Sequence, residues 1–435
     1  MRHLAVDFIP AARRRAGYWP RRAAAGPLLA LLLAAGAAGC SQSAANFSQY
    51  PGFRNWYAAH PPAESPPDET DRALLARYRP RLFVDRESEG PIGFYEDYVA
   101  EATLLRGDGS IVAEPPTRET LNAYKADPGA VLVHRGVPGR GAPVHPTVLG
   151  RIDRETVALP DGKREFTFLT YNYVFRRSGL PAGMPGWMRL LVGIVADPRD
   201  WHQLDHYTAV TIALAPGTDG QEAAAAQVPV AAVFQQHNYL RSYLLGSAAA
   251  PGVLALPADG RLAIDAATWS NELYPHEPGW VRHRAAPFMN RDTVRYLTTG
   301  EDPPFLAADD VTESDREVDC ALQFLPPADA FYVFQGWLGE RRRLPGRDGP
   351  PGADYNTLPA YKSHAAQMLL FRWTEGDAGY AETIAPVLGG RGSGAPPDLS
   401  RFLASFVRDL RCREGGAGEA AARPACAPGP PPSGS

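Results

Sequence analysis

Phe166-Thr167-Phe168-Leu169-Thr170-Tyr171-Asn172-Tyr173-Val174-Phe175 is the stretch on which the fold turns. Aromatic and β-branched residues occupy both parities, the pattern of a strand buried on both faces. Downstream, Thr208, Val210, Ile212 and Leu214 alternate with Ala209, Thr211 and Ala213, which predicts a strand with one apolar face. Val228 to Gln236 (VPVAAVFQQ) predicts a third strand, with Pro229 near its start, where proline is tolerated. Between the first two, Met184 to Val195 predicts a short helix or an aromatic-capped loop.

N-terminal to these strands, residues 68–77 (DETDRALLAR) predict a short helix whose leading acids suit the helix dipole. Tyr78 to Val84 is extended, because Pro80 disfavours a helix before it. Residues 321–340 and 361–373 add aromatic segments, the second helical, and 401–411 predict a last helix. The expectation is one β-rich α+β body over residues 68–412, a β-sandwich core at roughly 166–276 with helical insertions, and a disordered tail at 413–435. That tail is mostly Gly, Ala and Pro, with no apolar pattern to bury.

The 435-residue chain is 45% hydrophobic and 21% charged, which excludes wholesale disorder. Its 42 Gly and 43 Pro follow no collagen period and favour a loop-rich body. No run of apolar residues is long enough to span a bilayer as a helix.

Residues 1–39 resemble a bacterial lipoprotein signal peptide. Arg13, Arg14, Arg15, Arg21 and Arg22 precede an apolar run from Leu28 to Ala38, and small residues lead into Cys40. Cys40 is then the lipidation site, where the thiol takes a diacylglycerol and an acyl chain such as palmitate follows. An ordinary secretory signal or a twin-Arg signal at Arg21-Arg22 are the alternatives. Ser41 after the cysteine, by analogy with Gram-negative lipoproteins, points to the outer membrane, and residues 40–67 form a Pro-rich tether. Removing the six arginines and one acid of residues 1–40 from 44 basic and 48 acidic residues leaves a net charge of −9. A body of that sign has no general attraction to nucleic acid. Cys320, Cys412 and Cys426 remain for an oxidising compartment, with either Cys412–Cys426 or Cys320–Cys412 as the pair.

There is no GxSxG elbow, Walker loop, HExxH or strand-following GxGxxG. Instead Asp197 to Tyr207 (DPRDWHQLDHY) gathers acids and imidazoles at a strand entry. His202, Asp205 and His206 are groups that a divalent metal or an acid–base mechanism uses; otherwise they form a polar loop packed over Trp201. Strand parity puts His206 on the face of Val210 and Asp205 on the other. If Leu214 faces Val228 in a hairpin, His237 comes near Asp205 and His206. Ser270 to Glu277 (SNELYPHE) brings Glu272 and His276 as further site candidates, or as residues lining a turn. Ser363 fits a helix start beside His364, and the arginine-rich loop at 339–352 is either an anion site or a solvated turn.

Tyr171 to Phe175, then Asp-Trp-His-x-x-Asp-His entering a strand, then a strand ending Gln-His-Asn-Tyr, resembles the order in necrosis-inducing-type secreted proteins. Vacuolar-sorting-like β-proteins show a related order, and the body as a whole resembles a bacterial lipoprotein family. The resemblance covers roughly residues 166–276 and implies a β-sandwich. In the necrosis-inducing type, a His-x-x-Asp-x-Glu run holds a divalent metal. His202 and Asp205 match that spacing, and Tyr207 stands in place of the Glu. His237 joins the metal set through hairpin geometry alone.

The leading expectation is an envelope lipoprotein acting as a ligand- or partner-binding accessory module. Its rival is a metal-dependent envelope hydrolase, with His202 and His237 on the metal, Asp205 orienting and Glu272 activating water. A purely structural lipoprotein is the third.

Overall fold

The computed structural model describes residues 58–59, 61–134, 145–159, 162–216, 227–236, 239–246, 253–283, 309–340, 349–350 and 352. Cys40, His237, Cys412, Cys426, the signal segment, the helices expected at 361–373 and 401–411 and the 413–435 tail lie outside the described residues.

In chain order the elements begin with α1 (Glu69–Arg77), β1 (Arg81–Val84), β2 (Ala102–Leu105), β3 (Ile111–Ala113), α2 (Arg118–Ala123) and β4 (Val131–His134). The long strands follow as β5 (Thr147–Leu159), β6 (Gly162–Phe175), then α3 (Gly186–Val195), β7 (Asp205–Pro216), β8 (Gln227–Gln236) and β9 (Tyr239–Gly246). The last elements are β10 (Val253–Ala255), β11 (Ala263–Ala266), β12 (Leu273–Pro275), β13 (Trp280–His283), β14 (Asp310–Glu313), β15 (Arg316–Val318), β16 (Ala321–Phe324) and α4 (Ala330–Val333).

Seven strands form the main sheet in the order β10-β9-β8-β7-β6-β5-β16, and four form a second sheet, β12-β11-β1-β15. One apolar core lies between them: Val148, Tyr171, Tyr173, Val210 and Phe234 of the large sheet meet Leu82, Ile264, Leu273 and Val318 of the small one. A second core covers the opposite face, where Leu149 and Val174 meet Leu104, Leu132, Phe331 and Phe334. Neighbouring residues Tyr173 and Val174 thus enter different cores, as a strand with apolar residues at both parities requires. The body is β-rich, with several sheets and few helices, an arrangement consistent with a β-sandwich-like fold.

The helix expected at 68–77 is α1, capped by Asp68, whose Oδ1 accepts from the Asp71 backbone N–H (2.8 Å). Tyr171 ties it to the sheet by donating its hydroxyl to the Leu75 carbonyl (2.8 Å).

Three expectations change. The small-residue face of β7 is not open: Ala209, Thr211 and Ala213 are all buried. Phe168 stands directly across from Ala213, and the Thr170 and Thr211 hydroxyls bond across the strands (2.9 Å), so large neighbours cover small residues. The parity of the strand entry is also inverted. Tyr173 pairs with Thr208 but Phe175 pairs with Asp205, so β7 carries one extra residue there, a β-bulge. Asp205 therefore shares the core face of Phe175 and Tyr173, opposite to what simple alternation gives. The β7–β8 register differs too: Ala215, not Leu214, faces Val228, and a second irregularity at Ala213/Leu214 brings Gln235 across from Ala209. Equidistance from a Leu214–Val228 pair would have put Gln235 across from residue 207, so β8 ends further from Asp205 than the simple hairpin implies.

Candidate functional site

The connection from β11 to β12 is a tight loop in which the Ala267 N–H bonds the Glu272 carbonyl (2.8 Å) and the Asn271 N–H bonds the Ala267 carbonyl (3.1 Å). Closing it so tightly drives two non-glycine residues to positive φ, Trp269 at 75° and Asn271 at 57°. Asn visits that region readily; a bulky indole there is an outlier that its surroundings must hold.

Those surroundings are buried and polar. The Gly179 N–H donates to the Trp269 carbonyl (2.5 Å), and the Ser178 hydroxyl to that of Ser270 (3.2 Å). Only glycine fits at 179, since a Cβ there would lie 2.8 Å from both the Pro198 carbonyl oxygen and the Trp269 Cβ. Asn271 Nδ2 donates to Asp205 Oδ2 (2.9 Å) and to the Arg177 carbonyl (2.8 Å). Ser270 Oγ donates to Asp310 Oδ2 (2.5 Å), and Asp310 Oδ1 accepts from the Val311 and Ala182 N–H groups (2.9 and 3.1 Å). Tyr274 donates its hydroxyl to Glu272 Oε2 (2.8 Å) and stacks on His283, with centroids 3.8 Å apart.

Burial, and then the nearby Glu272 charge, push the Asp310 carboxyl up to about 8, against the opposing hydrogen bonds from Ser270, Val311 and Ala182. At neutral pH Asp310 is therefore mostly protonated, which relieves like-charge repulsion with Glu272.

Above this network lie two cavities that share Thr268 and Trp269. One, about 370 Å³, is lined by Asp85, Glu87 and Glu89 together with Arg176, Arg177 and Arg199. Arg176 is buried and engaged with Glu101 (3.4 Å) and Glu89 (3.9 Å). Arg177 and Arg199 are exposed, the latter with its guanidinium carbon 5.2 Å from the Trp269 ring centroid. The other cavity, about 380 Å³, is lined by Met184, Arg189, Trp280, Arg282 and Glu313. The Glu313 carboxyl is raised by burial and then by Asp85 beside it.

The expected site residues are divided by this geometry. Asp205 reaches the loop: fully buried, it accepts from Asn271 and from the Thr208 hydroxyl (2.9 Å), as the bulge turns it toward the small sheet. Glu272 is the last residue of the same loop. His206, also fully buried, uses Nε2 toward the Gly352 carbonyl (3.1 Å), while His202 is half-buried and pairs through its backbone with Ser178. His276 belongs elsewhere, its Nδ1 donating to the buried Asp265 Oδ1 (2.7 Å) and its ring stacked on Phe83 at 3.9 Å. His202, Asp205, His206 and His276 thus do not converge on one point. Among the described residues no group of three or more His, Cys, Asp or Glu side chains is placed to hold a metal ion. Cys320 is a free thiol, buried against the core.

Sequence reasoning reached Asn271, Glu272 and Arg199 as members of quoted runs. It missed Trp269, Asp310, Asp85 and Arg177, which carry no motif and are joined only by tertiary contacts. No family model, no curated protein and no solved structure matches the chain.

Proposed function

We propose that this protein is an exported envelope lipoprotein, anchored through Cys40 in the outer membrane, whose β-rich body binds a small zwitterionic ligand in the cleft beside Trp269. The core is read as a β-sandwich of the kind the necrosis-inducing-type resemblance implies, and two sheets sharing one apolar core support that. One observation carries the functional reading: a tryptophan in left-handed conformation, tied into a buried polar network, lines two open cavities. Strain of this kind persists only where the surroundings impose it, and it clusters at ligand sites. In the network itself the Asp205, Glu272 and Asp310 carboxyls each accept from a neighbouring side chain. The open part is the cleft, which exposed Arg177 and Arg199 line together with Asp85, Glu87 and Glu89. Guanidinium forks match a carboxylate, and the acids of the same cleft match an amine.

Thermal unfolding of the full chain, extracted in detergent, tests this against free amino acids, dicarboxylates and neutral disaccharides. A ligand at a hundred times its Kd adds about 2.7 kcal/mol, which is ~5–10 °C in Tm. Compounds carrying both an amine and a carboxylate should raise Tm, and Arg177→Ala/Arg199→Ala should remove the rise. A panel without any rise, or a rise that survives the double variant, overturns the reading. Mass spectrometry of the Cys40 peptide tests the anchor.

A further inference from the structure

The helix α3 (GWMRLLVGIV) carries one charged residue, Arg189, yet it lies on the surface. Trp187 is 58% exposed, and Leu190 and Ile194 are each 70% exposed. At 100° per residue these three share one face with Gly186 and Gly193, where an added Cβ would meet no atom of the described residues within 4 Å. The face therefore looks onto open space, the reverse of the polar outer side that a surface helix ordinarily shows. Trp280 of β13, 61% exposed, lines the same cavity as Gly186 and Arg189 and continues the patch. Four of the six exposed large hydrophobics among the described residues are gathered here.

We infer that α3 and Trp280 form a docking surface for a zwitterionic lipid bilayer, resting on the reading that Cys40 is acylated. The helix has 10 residues, hence a length of about 15 Å, half the hydrocarbon thickness of ~30 Å. It therefore lies in the interface rather than across it, and no described helix is long and apolar enough to cross a membrane. Two indoles suit the headgroup level, with ring bodies in the acyl region and N–H groups toward water. Arg189, on the flank of the apolar arc, suits lipid phosphate. The mature charge of −9 opposes anionic surfaces, so apolar burial has to drive the contact. An acylated Cys40 holds the body within one tether length of a bilayer and makes docking of the helix an intramolecular event.

The test uses the full chain in a Trp56→Phe background, which silences the tether indole, mixed with phosphatidylcholine vesicles whose acyl chains carry bromine. Tryptophan fluorescence should fall on brominated vesicles relative to plain ones. Trp187→Phe should lessen that fall, Leu190→Glu/Ile194→Glu should remove it without changing the circular dichroism, and high salt should leave it intact. Equal fluorescence on both vesicles from an acylated chain overturns docking and keeps the anchor. An unacylated chain that still floats with vesicles and is quenched through Leu190 and Ile194 overturns the anchor and keeps docking. A dimer that the double variant turns into a monomer, with no quenching, places a second copy on this face and overturns the inference.

Discussion

Replacing Asn271 with alanine probes the joint between the large sheet and the loop that carries Trp269. Its amide donates to the fully buried Asp205 carboxylate and to the Arg177 carbonyl, at 2.9 and 2.8 Å, and its backbone sits at φ 57°. A hydrogen bond to a charged group contributes about 1.5–3 kcal/mol. Alanine in the left-handed region adds ~1–2 kcal/mol that asparagine largely avoids. Asn271→Ala should therefore cost about 2.5–5 kcal/mol in all. For a body of this size that is ~5–20 °C in Tm, read by the near-ultraviolet circular dichroism melt of the full chain. Asn271→Gly separates the two contributions, because glycine accepts positive φ while still losing the side-chain bonds. It should melt above Asn271→Ala and below the parent. Combining Asn271→Ala with Asp205→Asn should cost less than the two changes separately, since a neutral amide tolerates the lost donor. An Asn271→Ala chain melting within about 2 °C of the parent would refute the reasoning, and so would an additive double variant.

The Asp310 carboxyl, raised to about 8 in the folded protein against 3.8 ordinarily, should make stability fall as pH rises. Below pH 4 folded and unfolded chains both hold the proton; between 4 and 8 only the folded one does, and the advantage is gone above that range. The Tm difference between parent and Asp310→Asn, followed from pH 4 to 8, should move in favour of the variant; a flat difference removes Asp310 as the source. Gly179→Ala should lower stability by about 1–3 kcal/mol and weaken ligand stabilisation in the same thermal assay, because its Cβ drives into Trp269; an unchanged melt would show that the loop does not need this contact. The Cys320 thiol, buried and thereby raised to about 12, should resist maleimide at pH 8 in the native chain and react in urea. Labelling at equal rates in both states would show that the connection between β15 and β16 opens freely.

Much of the β body was legible because its signals are local. β6 shows apolar residues at both parities, and both its faces are buried; α1 declares its cap at Asp68. β7 and β8 were found within a few residues of their ends. Other strands were not found: β16 and β10 join the sheet edges in parallel, and four and three residues leave too little periodicity to read. The cluster at 197–207 was recognised as unusual, but its geometry was misjudged, since one inserted residue reverses the side to which Asp205 points.

Alternation of apolar and polar residues makes these segments strands and places a buried strand at the centre, because periodicity depends only on near neighbours. Tertiary structure alone decided that Asp205 meets Asn271, 66 residues away, that Ser270 meets Asp310, and that Trp269 is forced to positive φ. A bulge changes parity without changing composition, and backbone strain exists only where distant segments close around it. The candidate cleft is assembled from those two effects.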